Sequence, residues 1–117
     1  MDNHSIQIKN SYNSLIRSLS NETTKEDKKL IKKAFDLANS AHQKIKRKSG
    51  DPYIIHPISV AKIVSRDIGL GPTAIACALL HDVVEDTEIS LEFIEKEFGK
   101  NIAKIIDGLT KISELID

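Results

Sequence analysis

Apolar residues recur at intervals of three and four along most of the chain, which is the spacing of amphipathic α-helices. This pattern predicts a first helix over about residues 6–19 and a stronger second helix that begins after Thr24 and continues to Ile45. Thr24 and Asp27 have the spacing of a capping box, which favours a helix start at that point. A loop is expected over 46–52, because this segment contains a glycine and a proline.

Four further helices are indicated by the same pattern in the rest of the chain. They are predicted at about 56–69, 72–86, 90–99 and 102–116. The fourth predicted helix of the chain is apolar almost all round as far as His81, which is typical of a central, buried helix. No segment alternates apolar and polar residues as a half-buried strand does. We therefore predict an all-α fold, a helical bundle with irregular loops.

The last apolar stripe continues to Ile116 without a glycine or proline that would end the helix. We expect its uncovered face to pack against further helices downstream, so that the bundle is incomplete and lacks its C-terminal helices. Homo-oligomerisation through this last helix is the other way to cover the face. The chain is divided into an N-terminal helical segment, residues 1–22, and the N-terminal part of a helical domain, residues 23–117.

Charge and composition exclude several classes of function. Seventeen Lys and Arg balance seventeen Asp and Glu, so the chain as a whole has no electrostatic basis for binding a nucleic acid or a membrane surface. The longest apolar run, 73–80, is far too short to span a bilayer, and no signal peptide opens the chain. The lone Cys77 excludes an internal disulfide and fits a reducing compartment. We expect a soluble, cytoplasmic protein.

Four ionisable side chains stand within six positions at the end of the buried helix: His81, Asp82, Glu85 and Asp86. At about 100° per residue all four fall within one arc of a helix. Because a buried charge without a partner is costly, such a cluster needs a reason. His56 begins a separate helix and can supply a ligand from a distance. Imidazole together with carboxylate suits Mn²⁺, Fe²⁺ or Zn²⁺.

A cation held by these imidazoles and by Asp82 would have Glu85 and Asp86 one helical turn away, where they can orient water or transfer a proton. We expect these two carboxylates to be buried beside the metal. The alternative is a helix end that carries polar residues as it leaves the core. His42 is predicted to be a hydrogen-bonded core histidine, or a support for a ligand, rather than a ligand itself.

The loop before His56 is basic and contains Arg47, Lys48 and Ser49. Guanidinium groups stack on bases and bind phosphates in a bidentate way, whereas lysine supplies a point charge. A nucleotide or polyphosphate near the metal would need such neutralisation. A basic loop that is merely solvated is an equal alternative on composition alone.

Together these residues resemble the hydrolase domain of the RelA/SpoT homologues, a branch of the HD-type metal phosphohydrolases. The resemblance covers about residues 30–113. Its motifs are Arg47-Lys48-Ser49-Gly50-Asp51-Pro52-Tyr53-Ile54-Ile55-His56-Pro57, Val60-Ala61, His81-Asp82-Val83-Val84-Glu85-Asp86-Thr87, Phe98-Gly99 and Asp107-Gly108-Leu109-Thr110-Lys111. It implies an HD-domain fold and removal of the 3′-pyrophosphate from the alarmones ppGpp and pppGpp, giving GDP or GTP and pyrophosphate, in the stringent response.

The resemblance also implies the roles of the residues. It gives the site one Mn²⁺ with His56, His81 and Asp82 as ligands, and it gives Glu85 and Asp86 the nucleophilic water and the proton transfers. The nucleotide-binding residues that it implies are Arg47, which stacks on the guanine, and Lys48, Ser49 and Tyr53. Family members that only synthesise alarmones lack the His-Asp and Glu-Asp pairs, whereas both pairs are present here.

The chain departs from the family in one respect. The family takes a fourth ligand, an aspartate, from a later helix with the pattern Leu-Ala-Asp-Arg-x-His-Asn-Met-Arg, and nothing similar follows Lys111. Nor do the residues up to Asp117 resemble the synthetase domain of long family members. The chain by itself is therefore expected to bind metal weakly and to turn over poorly or not at all. Two other functions stay open: a module that senses the alarmone without cleaving it, and a helical interaction module.

Overall fold

The computed structural model describes residues 3–43, 45 and 50–116, apart from the side chains of 113, 114 and 116. The predicted nucleotide-binding residues Arg47, Lys48 and Ser49 therefore lie outside the described residues. The described part is helical and contains no β-strand, which confirms the predicted all-α fold. Its elements are α1 (Asn3–Arg17), α2 (Lys25–Ala41), α3 (Ile55–Lys62), a π-helix (Ile63–Ile68), α4 (Pro72–Leu80), α5 (Val83–Asp86), α6 (Leu91–Phe98) and α7 (Lys100–Ile116).

Both ends of α2 are fixed by side chains that bond to nearby backbone. At the start, the Thr24 hydroxyl accepts from the Asp27 N–H (3.0 Å) and the Asp27 carboxylate accepts from the Thr24 N–H (3.1 Å), which is the predicted capping box. At the other end, the Nδ1 of His42 donates to the Ala38 carbonyl (3.0 Å). His42 leaves the helical conformation (φ −99°, ψ 7°), and α2 therefore stops at Ala41, before its predicted end.

The apolar helix α4 lies at the centre of the fold, as its sequence predicts. Six successive residues, 75–80, are buried, because α4 packs against α2, α3 and α7. Leu15 of α1 is fully buried in the same core, and α1 packs against α3. Burying a leucine of this kind contributes about 1.5–3 kcal/mol, so α1 adds to the stability of the whole bundle.

The sequence predicts one regular helix over 56–69, but the structure widens it halfway into a π-helix that begins at Ile63. Gly69 ends this segment in the left-handed conformation (φ 79°), which glycine adopts at little cost because it has no Cβ. The N–H groups of Gly69 and Leu70 both bond to the Val64 carbonyl. The Val64 carbonyl near the end of the helix is thereby hydrogen-bonded before the chain turns into α4.

The fourth predicted helix is interrupted where its ionisable residues begin. It ends at Leu80, His81 and Asp82 form a turn, and the four residues of α5 follow. Two donors compete for one acceptor at this point: the His81 Nδ1 donates to the Ala78 carbonyl (2.6 Å), which in an unbroken helix accepts from the Asp82 N–H. The helical pattern resumes when the Asp86 N–H bonds to the Asp82 carbonyl (2.9 Å).

The last helix, α7, is amphipathic, and part of its apolar face is exposed. Ile102 and Ile106 are buried against the core, whereas Leu109 and Ile112 are 41 % and 54 % exposed. The exposed face that the sequence predicts is therefore present, and self-association through it stays a prediction. None of the helices in the described ranges is long and apolar enough to cross a membrane.

Candidate metal centre

The three side chains predicted to bind a metal meet at one end of α4. His56 lies in the first turn of α3, and His81 and Asp82 form the turn after α4, so the packing of α3 against α4 brings them together. One possible ligand atom from each residue lies within 4.8 Å of the other two, and all three residues are partly buried. Because ligand atoms stand about 2.0–2.2 Å from a metal ion, one cation can contact all three after small adjustments.

The hydrogen bonds of His81 suit a metal ligand. Its Nδ1 carries the proton that it donates to the Ala78 carbonyl, so Nε2 can keep the lone pair that a cation needs. Nε2 faces Asp82, with 3.1 Å to Oδ2. Two imidazoles and a carboxylate are ligands that Mn²⁺, Fe²⁺ and Zn²⁺ accept, and the buried thiol of Cys77 does not belong to the group. The donor set therefore fits a divalent cation.

Without a cation, the Nε2 of His81 lies 3.1 Å from Oδ2 of Asp82, and the two side chains form a hydrogen-bonded ion pair when His81 is protonated. The hydrogen bond to Asp82 raises the pKa of His81 above its usual value of 6.5, although burial acts in the opposite direction. Burial acts to raise the pKa of Asp82, but the hydrogen bond and the charge of His81 outweigh it, so this pKa lies below its usual value of 3.8. A proton and a cation therefore compete for the same nitrogen of His81.

We expect the Mn²⁺ affinity of the protein to rise with pH and to keep rising above pH 6.5, because the proton on His81 must leave first. Asp82 is ionised throughout, since its pKa is lowered. On the acid side of the His81 pKa the affinity should change by about tenfold per pH unit for each proton displaced. Calorimetric titrations with Mn²⁺ between about pH 5.5 and 8.5 measure this dependence, and a constant affinity over that range contradicts the role of His81.

The predicted acid–base pair, Glu85 and Asp86, lies on α5 and is exposed rather than buried. The expectation of burial is wrong because the turn at His81 ends the buried helix, and of α5 only Val83 is buried. The charge of Glu85 is close enough to help raise the pKa of His81, and Asp86 accepts a hydrogen bond from Tyr53 (2.7 Å). Asp86 is therefore linked to Asp82 through the Tyr53 hydroxyl, the charge of Glu85 acts on His81, and both carboxylates are open to water.

Tyr53, which the sequence predicts to bind the nucleotide, contacts two carboxylates of the site, and its predicted contact with a nucleotide stays a prediction. Its hydroxyl donates to Asp86 (2.7 Å) and lies 3.2 Å from Oδ2 of Asp82. Burial, and then the hydrogen bond to Asp86, raises the pKa of Tyr53 well above its usual value, so the hydroxyl stays protonated. Sequence reasoning missed these contacts, because the partners are 29 and 33 positions apart and no local pattern connects them.

His42 is the other histidine close to this site. It is a hydrogen-bonded core residue, as the sequence predicts: it is 2 % exposed and bonds through Nδ1 to Ala38. It does not belong to the group of three donors. Its ring stacks on that of Tyr53, with 4.5 Å between the centroids and 14° between the planes. This stack is a contact that the sequence did not indicate.

Two cavities adjoin these residues. The larger, of about 700 Å³, is lined by α1, α2 and the segment 52–54, and both His42 and Tyr53 border it. The smaller, of about 590 Å³, is lined mainly by apolar side chains of α3, α4 and α7 and reaches His81. Both volumes lie in the range of cavities that hold small-molecule ligands.

Comparison with known proteins identifies the family. A sequence profile described as HD domain matches residues 34–116. Over 85 residues, 73 % of its length, the chain is 49 % identical to a protein of Synechocystis sp. named "Probable guanosine-3′,5′-bis(diphosphate) 3′-pyrophosphohydrolase", of which it covers 11 %. Over 94 % of its length it is 37 % identical to a "GTP pyrophosphokinase" of Streptomyces coelicolor, of which it covers 14 %. It is also 42 % identical to an Aquifex aeolicus protein named "Guanosine-3′,5′-bis(diphosphate) 3′-pyrophosphohydrolase", with 73 % of the chain and 12 % of that protein covered.

The chain thus spans roughly a tenth of the length of these relatives, whose names include both a hydrolase and a pyrophosphokinase. HD domains are metal-dependent phosphohydrolases, and the matched range contains the group of three donors. The match covers most of the chain. The chain therefore belongs to the HD-domain family and, within it, to the RelA/SpoT homologues.

Proposed function

We propose that residues 23–117 are the N-terminal part of a hydrolase domain that removes the 3′-pyrophosphate from ppGpp and pppGpp, with residues 1–22 as a helical segment before it. The observation that carries the proposal is the meeting of His56, His81 and Asp82 beside the exposed carboxylates of α5. Two of the relatives are named for this hydrolysis. A third relative is named a GTP pyrophosphokinase, so the names alone do not distinguish hydrolysis from synthesis. We infer hydrolysis from the residues of the site.

The cation of the proposed site is Mn²⁺, held by His56, His81 and Asp82. A divalent cation at this position supplies Lewis acidity, which makes water more acidic and draws electron density from a phosphoryl oxygen. The chain itself supplies the orientation of the donors: the Ala78 carbonyl fixes the ring of His81 through Nδ1. The carboxylate of Asp82 adds the negative charge that offsets part of the charge of the cation.

The reaction needs one water and two proton movements. The water oxygen forms a bond to the phosphorus that is linked to the ribose, the bond from this phosphorus to the 3′ oxygen breaks, and the 3′ oxygen takes up a proton. We assign to Glu85 and Asp86 the orientation of the water and the acceptance of its proton; the link from Asp86 through the Tyr53 hydroxyl to Asp82 supports this assignment. Arg47, Lys48 and Ser49 are proposed to neutralise the phosphates and to hold the base.

The test is the release of pyrophosphate from ppGpp by the full-length protein. We expect GDP and pyrophosphate in equal amounts with Mn²⁺, no release after treatment with EDTA, and recovery when Mn²⁺ is added back. A parallel assay with ATP and GTP measures the opposite activity. A protein that makes ppGpp from these nucleotides but never releases pyrophosphate from it contradicts the proposal, and so does release that does not depend on metal.

The exposure of Glu85 and Asp86 favours a second candidate, a module that binds the alarmone without cleaving it. An exposed carboxylate is hydrated at no cost in stability, so its presence does not indicate a catalytic role. A buried carboxylate would indicate such a role, because burying its charge is costly. Calorimetry with ppGpp separates the two candidates when it is done with and without Mn²⁺. Binding that ignores the metal and leaves the nucleotide intact supports the sensor, and metal-dependent turnover supports the hydrolase.

A further inference from the structure

The hydrogen bonds of the buried His42 ring do not explain why a histidine is present at this position. Its Nδ1 must carry the proton, because a carbonyl oxygen can only accept and the Ala38 carbonyl lies 3.0 Å away. Nε2 is then a bare acceptor, and in the described part of the chain it is buried without a hydrogen-bond partner. A buried acceptor without a donor costs free energy, so an apolar ring at this position would be at least as stable.

The contact that His42 makes instead is with Tyr53. The two rings are nearly parallel, with 4.5 Å between their centroids, and because His42 is buried its ring is a fixed surface on which the tyrosine ring lies. At the far end of the tyrosine ring, the hydroxyl lies 2.7 Å from Asp86 and 3.2 Å from Asp82. Four residues from three parts of the chain thus form one continuous series of contacts.

We propose that His42 is a positioning residue that acts through Tyr53: the anchored imidazole holds the tyrosine ring, and the tyrosine hydroxyl holds the carboxylate of Asp86 beside the metal donors. The role rests on the function proposed above. It differs from the nucleotide-binding role that the sequence predicts for Tyr53.

The hydroxyl needs this support because it has one proton and two neighbouring acceptors. When the carboxylate of Asp82 serves a cation, the proton is left for Asp86, whose oxygen is the nearer of the two. Asp86 is exposed at the end of a helix only four residues long, where a carboxylate samples several rotamers. One fixed donor selects the rotamer in which the carboxylate of Asp86 faces the metal donors. This selection matters because a catalytic group that is misplaced by about 1 Å lowers the rate strongly.

The first test is a double-substitution cycle in the full-length protein, assayed for Mn²⁺-dependent hydrolysis of ppGpp. We expect Tyr53→Phe to lower kcat about tenfold and His42→Phe about fivefold, with KM within about twofold of the unsubstituted protein in both. The double variant should be no slower than Tyr53→Phe alone, because His42 acts only through the hydroxyl that this variant lacks. The melting temperature of His42→Phe should equal or exceed that of the unsubstituted protein.

The matched control is Tyr12→Phe, which removes the same atom from a tyrosine that packs on Phe35 and lies outside the series of contacts. Its kcat should not change. Losses that multiply in the double variant, or an unchanged kcat in His42→Phe, overturn the proposal. A raised KM with an unchanged kcat in Tyr53→Phe also overturns it and supports the nucleotide-binding role.

The second test does not depend on turnover. The carboxyl ¹³C resonance of Asp86 should shift in Tyr53→Phe and in His42→Phe and should stay in place in Tyr12→Phe. Absence of pyrophosphate release from the unsubstituted protein counts against the proposed hydrolase, and this resonance then decides the positioning role alone. If the Asp86 resonance shifts in neither Tyr53→Phe nor His42→Phe, the positioning role is contradicted whether or not the protein hydrolyses ppGpp.

Discussion

Replacing His81 or Asp82 with alanine should abolish the Mn²⁺-dependent release of pyrophosphate from ppGpp, a loss on the order of a thousandfold or more. Each substitution removes one of three donors that meet within 4.8 Å, and two protein ligands hold a divalent cation weakly. The measurement is the initial rate at saturating ppGpp in the full-length protein, with Mn²⁺ binding followed by calorimetry. Both signals should disappear together.

A loss of folding would give the same kinetic result, so each variant is also followed by circular dichroism during heating. His4→Ala is the matched control, because this histidine lies on α1 and does not belong to the group of donors. It should keep both the rate and the affinity for Mn²⁺. Ordinary activity in His81→Ala or Asp82→Ala would refute the assignment of the metal ligands.

Glu85→Gln and Asp86→Asn should lower kcat by about 100- to 10,000-fold while the protein still binds Mn²⁺. The amides keep the size of the side chains but cannot take the proton of the attacking water. Because neither carboxylate belongs to the group of three donors, the affinity for the cation should change little. Steady-state kinetics and calorimetry on the same samples measure the two effects separately.

Glu88→Gln is the control for this pair, since Glu88 is an exposed carboxylate only two positions beyond Asp86. It should behave like the unsubstituted protein. If Glu85→Gln or Asp86→Asn loses Mn²⁺ binding along with the rate, the residue is a ligand rather than a proton acceptor. If neither property changes, the carboxylate is only a solvated side chain, as exposure alone would suggest.

The positions of the helices follow from the sequence wherever interactions between near neighbours decide them. The capping box of Thr24 and Asp27 is confirmed, and so is the burial of the apolar run 75–80. Both features depend on residues within four positions of each other or on a continuous apolar stretch, and both can therefore be recognised in the linear sequence. The helix predicted to reach Ile45 ends at Ala41, and the helix predicted over 72–86 is interrupted after Leu80; at both places a histidine ring bonds to a backbone carbonyl.

The site was predictable as a set of residue types, but its arrangement was not. His56, His81 and Asp82 could be named from their types and from the family motif, and the structure brings them together. Whether Glu85 and Asp86 are buried depends on the direction that the chain takes after the turn at His81 and Asp82. Helical periodicity cannot predict this direction, because it assumes that the helix continues without a turn. Their roles, like those of the three donors, stay predictions until the variants above are measured.

The sequence by itself determined the all-α class, the central apolar helix and the family of the chain, because these follow from periodicity and from short motifs. Only the tertiary structure decided which distant side chains meet. The contact of Tyr53 with Asp86, and the stack of His42 on Tyr53, join residues from separate helices and loops. The packing of α3 and α2 on α4 sets these distances, and packing is a property of the assembled core that no local pattern of residues records.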